Sequence, residues 1–330
     1  MPMRETLFLG RAEVTRLLTM ETALAVVESA FADHGRGETR MPAKLYLDLP
    51  ERGGDFRAMP AYIPSLNAAG VKWVSVYAGN PKRGLPSVIA VLILSDPDTS
   101  EPLAVMDATY ITLMRTGAAG GVAAKYLSRP DSTVLTLIGA GVQSHSQFEA
   151  IRLVRPIRAV RLFDPTPAAI EAFRKQYAKS GAEIIVCPSI EEAIKGADIV
   201  TTTTPSRAPI VRRPWVADGT HINAIGADAV GKQELEVKIL KDARVFIDDE
   251  EQAFHSGEVN VPLSEGSLAP GDIEGSLGAV VAGVQVGRRE ASDITVFDST
   301  GLAVQDIASA RAVFDRAVAE GVGKMLTLVG

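Results

Sequence analysis

The spacing of hydrophobic positions changes along the chain, and that change divides it. "TMETALAVVESAFADHG", residues 19–35, keeps a helical period, with Thr19 placed as an N-cap. Five strand-like runs follow: "AKLYLDL", "DFRAMPAYI", "GVKWVSVYA", "SVIAVLILSD" and "PLAVMDA". The Gly- and Pro-rich stretches "ERGGD" and "GNPKRGLP" punctuate them. A helix followed by successive strands predicts an α+β unit. From residue 132 the rhythm becomes strand, helix, strand, beginning with "STVLTLIG", continuously apolar as a strand buried on both faces must be. "RAVRLFD", "EIIVCP", "ADIVTTTTP", "THINAIG", "ARVFIDD" and "DITVFDS" continue it, with a helix over 166–180. This alternation predicts a doubly wound parallel sheet. Beyond Ser299, "GLAVQDIASARAVFDRAVAEGVG" reads as one amphipathic helix ending at Gly321 or Gly323. The last run, "KMLTLV", has no place in the parallel sheet and is predicted to return to the first unit. The expected class is α/β, with a discontinuous α+β domain over 1–115 and 302–330 and a parallel-sheet domain over 116–301.

Strand alternation puts Lys72 on the same face as Val74 and Val76, an unusual setting for an ammonium group. Lys44 and Arg57 also sit on strand-like runs. Lys44 faces away from Leu45, Leu47 and Leu49, and Arg57 shares a face with Met59 and Ala61. A snorkelling surface role fits Lys44 equally well; it fits Lys72 poorly. A cationic cluster in a cleft would bind a carboxylate, bidentately through arginine. A desolvated lysine among cations would also hold its proton weakly, which suits acid–base work. Arg115, in "LMRTGAAGG", precedes small residues expected to open a helix whose N–H groups would meet an anion. The alternative for Arg115 is a domain-interface ion pair. Asp228 follows "THINAIG" beyond a strand's C-terminal end, the edge at which open α/β sheets bind ligands. A carboxylate there could exchange protons with a reacting group, or simply cap the next helix. His221 reads as a packed core histidine.

"GAGVQS", residues 139–144, lies between the first parallel strand and its helix. Gly139 and Gly141 match the first two glycines of the Rossmann dinucleotide fingerprint, with Ser144 in the third position. Asp164 ends the second strand, where an acid accepts the ribose hydroxyls of NAD and repels a 2′-phosphate; Pro165 and Thr166 bring no cation. The pattern favours NAD over NADP.

Composition narrows the partners. The chain of 330 residues carries a formal net charge of -6, against a general nucleic-acid binder. Its one cysteine, Cys187, excludes an intramolecular disulfide framework, and with four histidines suggests no metal cage. The start, "MPMRETLFLGRAEV", has no sustained apolar core, and no apolar run reaches membrane-spanning length. A cytoplasmic protein without membrane or nucleic-acid partners is expected.

Taken together, "RAMPAYI", "GVKWVSVYAGNPKRGLPSVIAVLIL", "AVMDATYITLMRTGAAGGVAAKYL", "IGAGVQS", "TTTTPSR", "GTHINAIGAD" and "VFDSTGLAVQD" resemble the ornithine cyclodeaminase/μ-crystallin family, most closely its archaeal-type alanine dehydrogenases. The resemblance spans residues 5–325. It implies a homodimer held by the first domain, which also binds substrate, and a Rossmann domain binding NAD, with substrate between the two. It makes Lys72 and Asp228 the catalytic pair and Lys44, Arg57 and Arg115 the substrate contacts. Implied cofactor contacts are Arg115, Thr116, Gly139, Gly141, Val142, Gln143, Asp164, Thr203, Thr204, Asn223, Ala224, Ile225 and Ser299. The implied reaction is reversible NAD-linked oxidative deamination of L-alanine, or a similar small amino acid, to the 2-oxo acid and ammonia. "VSVYAGNP" departs from the histidine-containing stretch frequent in ornithine cyclodeaminases, which favours the dehydrogenase branch. Ornithine cyclodeaminase, a cyclic-imine or ketimine reductase, and a non-catalytic crystallin-like NAD(P)H binder remain as alternatives.

Overall fold

The computed structural model describes residues 5–328. The chain divides into two compact units, one comprising the chain up to Arg115 together with that from Leu302 onward, the other Thr116–Gly301. Strands β1 (Thr6–Leu9), β2 (Leu45–Leu49), β3 (Gly54–Ile63), β4 (Ala68–Tyr77), β5 (Val88–Ser95) and β6 (Pro102–Asp107) lie in the first unit. The second contains β7 (Val134–Ile138), β8 (Ala159–Phe163), β9 (Glu183–Val186), β10 (Ile199–Thr202) and β11 (His221–Ala224). It also contains β12 (Arg244–Ile247), β13 (Ile273–Ser276) and β14 (Thr295–Asp298), and β15 (Lys324–Leu326) belongs to the first unit again.

The first unit's sheet runs β15-β1-β6-β5-β4-β3-β2. β2 to β6 form an antiparallel meander, β1 pairs parallel with β6, and β15 pairs antiparallel with β1. Alternation gives this sheet two different faces. One buries Met59, Ala61, Val74, Leu92 and Met106; the helix Met20–Gly35 packs against the helix Ala303–Glu320, which lies over β3, β4 and β5. The Thr19 hydroxyl caps the first of these, accepting from the Thr22 N–H at 3.3 Å; Gly321, with φ +64°, ends the second. The other face is open and apolar. Leu45, Trp73 and Val91 line up across β2, β4 and β5, each more than two-fifths exposed, with Phe56 stacked on Trp73 at 5.3 Å.

The second unit is an eight-stranded sheet of order β13-β12-β14-β11-β10-β7-β8-β9, parallel throughout. From β7 the chain winds outward through β8 and β9, then returns to the opposite side of β7 with β10. This reversal is the topological switch point at which doubly wound folds leave a crevice at the strand C-termini.

One expected helix boundary is wrong. The helix containing Arg115 begins at Thr109 and runs to Leu127, so no helix opens at Thr116 and no free N–H groups gather there. The small residues serve packing instead: a Cβ at Gly117 would lie 2.6 Å from Ser146 Cβ, and one at Gly120 would lie 2.8 Å from Gln147 Cδ. Among the described residues no helix is long and apolar enough to cross a membrane, and no group of His, Cys, Asp and Glu could hold a metal ion.

Candidate active site

Lys72 lies on the helix-covered face of β4, opposite Met59 on β3 and Leu92 on β5, and is wholly buried. Its partner comes from the other end of the chain. Asp306, in the first turn of Ala303–Glu320 and also fully buried, takes Lys72 Nζ at 2.6 Å. The second oxygen of Asp306 accepts from Arg115 Nε at 3.1 Å, and Arg115 Nη1 donates to Gln305 Oε1 at 3.1 Å. Burial dominates the lysine's titration. It lowers the pKa to about 7, helped by the charges of Arg115 and Lys44, while the Asp306 carboxylate pulls the other way.

Lys44 is half-buried, one residue ahead of β2. Arg57 is buried on the same face as Lys72, opposite Tyr46 and Val74. Its guanidinium lies 5.2 Å from the Tyr46 ring centroid, and its Nε and Nη2 contact the Asp55 carboxylate at 2.7 and 3.0 Å. Of the two bidentate edges of the guanidinium, the Nε–Nη2 edge is thus engaged by Asp55. Lys44, Arg57, Lys72 and Arg115 all belong to the first unit, and Asp306 compensates two of these cations.

The second unit builds a cavity of about 530 Å³ at the β7–β10 crevice. Gly139, Gly141, Asp164, Thr203 and Thr204 line it, with Ile190 and Ile210 as apolar walls. Gly139 leaves β7 with φ +101°, and a Cβ there would meet Thr203 Oγ1 at 2.8 Å. Gly141 precedes the helix Val142–Val154, and a Cβ there would project into open space. Backbone can therefore be approached closely at that turn, as a pyrophosphate requires. Asp164 Oδ2 accepts the Ala140 N–H and Oδ1 the Thr166 N–H, both at 2.7 Å, so the acid also fixes the turn. An ionised carboxylate has further acceptor capacity for ribose hydroxyls. This cavity joins a glycine turn after the first parallel strand to an acid at the end of the second, the features a dinucleotide site uses.

The remaining candidates are arranged differently. Val142 is exposed on the first turn of its helix, next to Gln143. The Asn223 side chain is consumed in the core, donating to the Gly120 carbonyl at 3.0 Å and meeting His221 Nε2 at 2.9 Å. Ala224 ends β11, its carbonyl accepting the Ser299 N–H, while Ile225 N–H bonds Thr202. Thr116 is buried, its carbonyl accepting from Gln147 Nε2 at 2.8 Å. His221 is a core residue, its pKa lowered by burial to about 3. Asp228 caps no helix; it is ion-paired with Lys232, and the next helix starts at Val237 behind Glu236.

The profile of the ornithine cyclodeaminase/mu-crystallin family matches residues 4–321. The chain belongs to this family. Within it, alanine dehydrogenase of Archaeoglobus fulgidus is 48% identical over 322 residues, covering 98% of each chain. A solved archaeal alanine dehydrogenase dimer with bound NAD superposes with a TM-score of 0.95 at 48% identity, covering 98% of this chain and 100% of that one. Thermococcus litoralis Δ1-pyrroline-2-carboxylate reductase, in complex with NADH and L-proline, gives 0.94 at 37% identity, covering 97% and 99%. The matched members of the family also include a ketimine reductase mu-crystallin and a lysine cyclodeaminase.

Proposed function

We propose that this protein is an NAD-dependent oxidoreductase that reversibly converts L-alanine, or a similarly small amino acid, to the 2-oxo acid and ammonia. The observation that carries the reading is the buried Lys72–Asp306–Arg115 cluster in a chain matched end to end by an alanine dehydrogenase. The Gly139–Gly141 turn and Asp164 would hold the dinucleotide, whose nicotinamide supplies the hydride acceptor or donor.

The chain's own residues do the rest. Lys72 and Arg115 share the Asp306 carboxylate, and the charges of Arg115 and Lys44 both act on Lys72. Cations gathered in this way favour the carboxylate of an amino or oxo acid. Lys44 and Arg57 hold the substrate carboxylate, with Arg57 oriented by Asp55. Lys72, as an ammonium group, donates a hydrogen bond to the carbonyl or imine and draws electron density from its carbon. Asp306 fixes the Lys72 amine in place. Asp228 moves protons to and from the water or ammonia that interconverts imine and oxo acid. General acid–base groups of this kind contribute about 10²–10⁴-fold. A second copy of the chain closes the apolar face at Leu45, Trp73 and Val91.

The test is a screen for NADH formation across amino acids, run with NAD and NADP in parallel, with ornithine and pyrroline-2-carboxylate included. NAD-dependent turnover of alanine supports the reading. Ornithine turnover without net NADH, or NADH oxidation confined to the cyclic imine, would replace it by a cyclodeaminase or an imine reductase.

A further inference from the structure

Glu234 lies between β11 and the helix Val237–Asp242 and is wholly buried. Its carboxylate takes four hydrogen bonds, two on each oxygen. Oε2 accepts from the Thr202 hydroxyl at 2.6 Å and the Gly226 N–H at 2.9 Å. Oε1 accepts from the Thr204 N–H at 2.8 Å and the Thr204 hydroxyl at 2.7 Å. Thr202 ends β10, and Gly226 lies just past the end of β11, its neighbour in the sheet. One carboxylate therefore ties together the exits of two adjacent strands.

The clamp is itself held. The Glu234 N–H donates to the Glu258 carboxylate at 3.0 Å, and the Glu234 carbonyl accepts the Ile210 and Val211 N–H groups at 2.7 and 3.0 Å. At Gly226 only glycine fits, because a Cβ would lie 2.6 Å from Glu234 Cδ. Burying a carboxylate is costly and raises its pKa here; four donors offset that cost. An apolar residue of similar size would leave all four without an acceptor.

What the clamp fixes is a wall of the dinucleotide cavity. Thr203 and Thr204 line that cavity, and the Thr203 hydroxyl lies directly against the Gly139 turn. We propose that Glu234 is a positioning residue for the dinucleotide site, setting the place of the Thr203–Thr204 wall relative to the glycine turn by anchoring it to the β11 exit. This rests on the reading that the cavity binds NAD.

Glu234→Gln tests it with little change in volume. Whichever way the new amide turns, its nitrogen faces a backbone N–H, that of Thr204 or that of Gly226. The expected result is NADH binding weakened about tenfold or more in a fluorescence titration, the equivalent of losing one hydrogen bond to a charged group. In turnover the KM for NAD should rise in parallel, while kcat at saturating NAD and the KM for the amino acid stay near wild type. General loosening of the fold would not give that split. Thr202→Val removes one clamp bond at a residue outside the cavity lining, and should weaken NADH binding about threefold. If Glu234→Gln does not fold, Thr202→Val decides. A folded Glu234→Gln protein, or failing that Thr202→Val, that binds NADH as wild type does overturns the proposal. Wild-type protein that binds no NADH would overturn the cofactor reading as well.

Discussion

Asp306 shares its carboxylate between two cations, with Oδ2 2.6 Å from Lys72 Nζ and Oδ1 3.1 Å from Arg115 Nε. Lys72 and Asp306 are 234 positions apart and both fully buried. Such a pair is weak evidence of stabilisation, since desolvation offsets much of the Coulomb attraction. It is better understood as a device that orients an amine and sets its charge. Removing the carboxylate while keeping its shape, in Asp306→Asn, should lower kcat about 10²-fold. NADH binding should be unchanged. Steady-state kinetics alongside a fluorescence titration check both halves.

The same pair predicts a pH dependence. Burial brings the Lys72 pKa down to about 7, and the proposed role requires the ammonium form. Below that value the proton is present; above it the proton is lost. The kcat/KM for 2-oxo acid reduction, taken at constant free ammonia, should therefore fall as pH rises above about 7. In Asp306→Asn the attraction that retains the proton is gone, so the decline should begin at lower pH. A limb that stays in place in the variant would remove Asp306 from the account of Lys72.

Part of this site is legible in the sequence and part is not. Alternation around Val71–Tyr77 suffices to bury Lys72, because period-two patterns survive into the structure wherever one sheet face is covered. The glycine turn and Asp164 are local, within 26 residues of one another from Gly139 to Asp164 inclusive. Asp306 is neither local nor marked. It is one of several polar residues on an amphipathic helix, and only the docking of that helix on β3 and β4 points it inward. Arg115 misleads for a related reason: glycines that permit close packing against Ser146 and Gln147 have the composition of a helix start. Glu234 gives no signal at all in "KQELEV", since its four donors come from Thr202, Thr204 and Gly226.

On the proposed reading, Asp164 governs cofactor choice. Its oxygens hold the Ala140 and Thr166 N–H groups as well as facing the cavity. Asp164→Ala should raise the KM for NAD by about tenfold, and should narrow or abolish the preference over NADP, because the repulsion of a 2′-phosphate is removed. Parallel initial rates with the two cofactors give the ratio.

The exposed stripe of Leu45, Trp73 and Val91 predicts self-association. Light scattering after gel filtration should give a dimer for wild type. Val91→Asp, which places a charge at the β5 end of the stripe, should shift it toward monomer, and an unchanged dimer would locate the interface elsewhere.

The most direct measurement of the central claim is NADH formation from L-alanine and NAD by wild type and by Lys72→Met. Wild type should produce NADH and pyruvate in equal amounts. Lys72→Met, which fills the same buried space without the amine, should lose about 10²–10⁴-fold in kcat while binding NADH as tightly as wild type. Near-normal turnover by Lys72→Met, or no NADH from wild type with any small amino acid, would contradict the account.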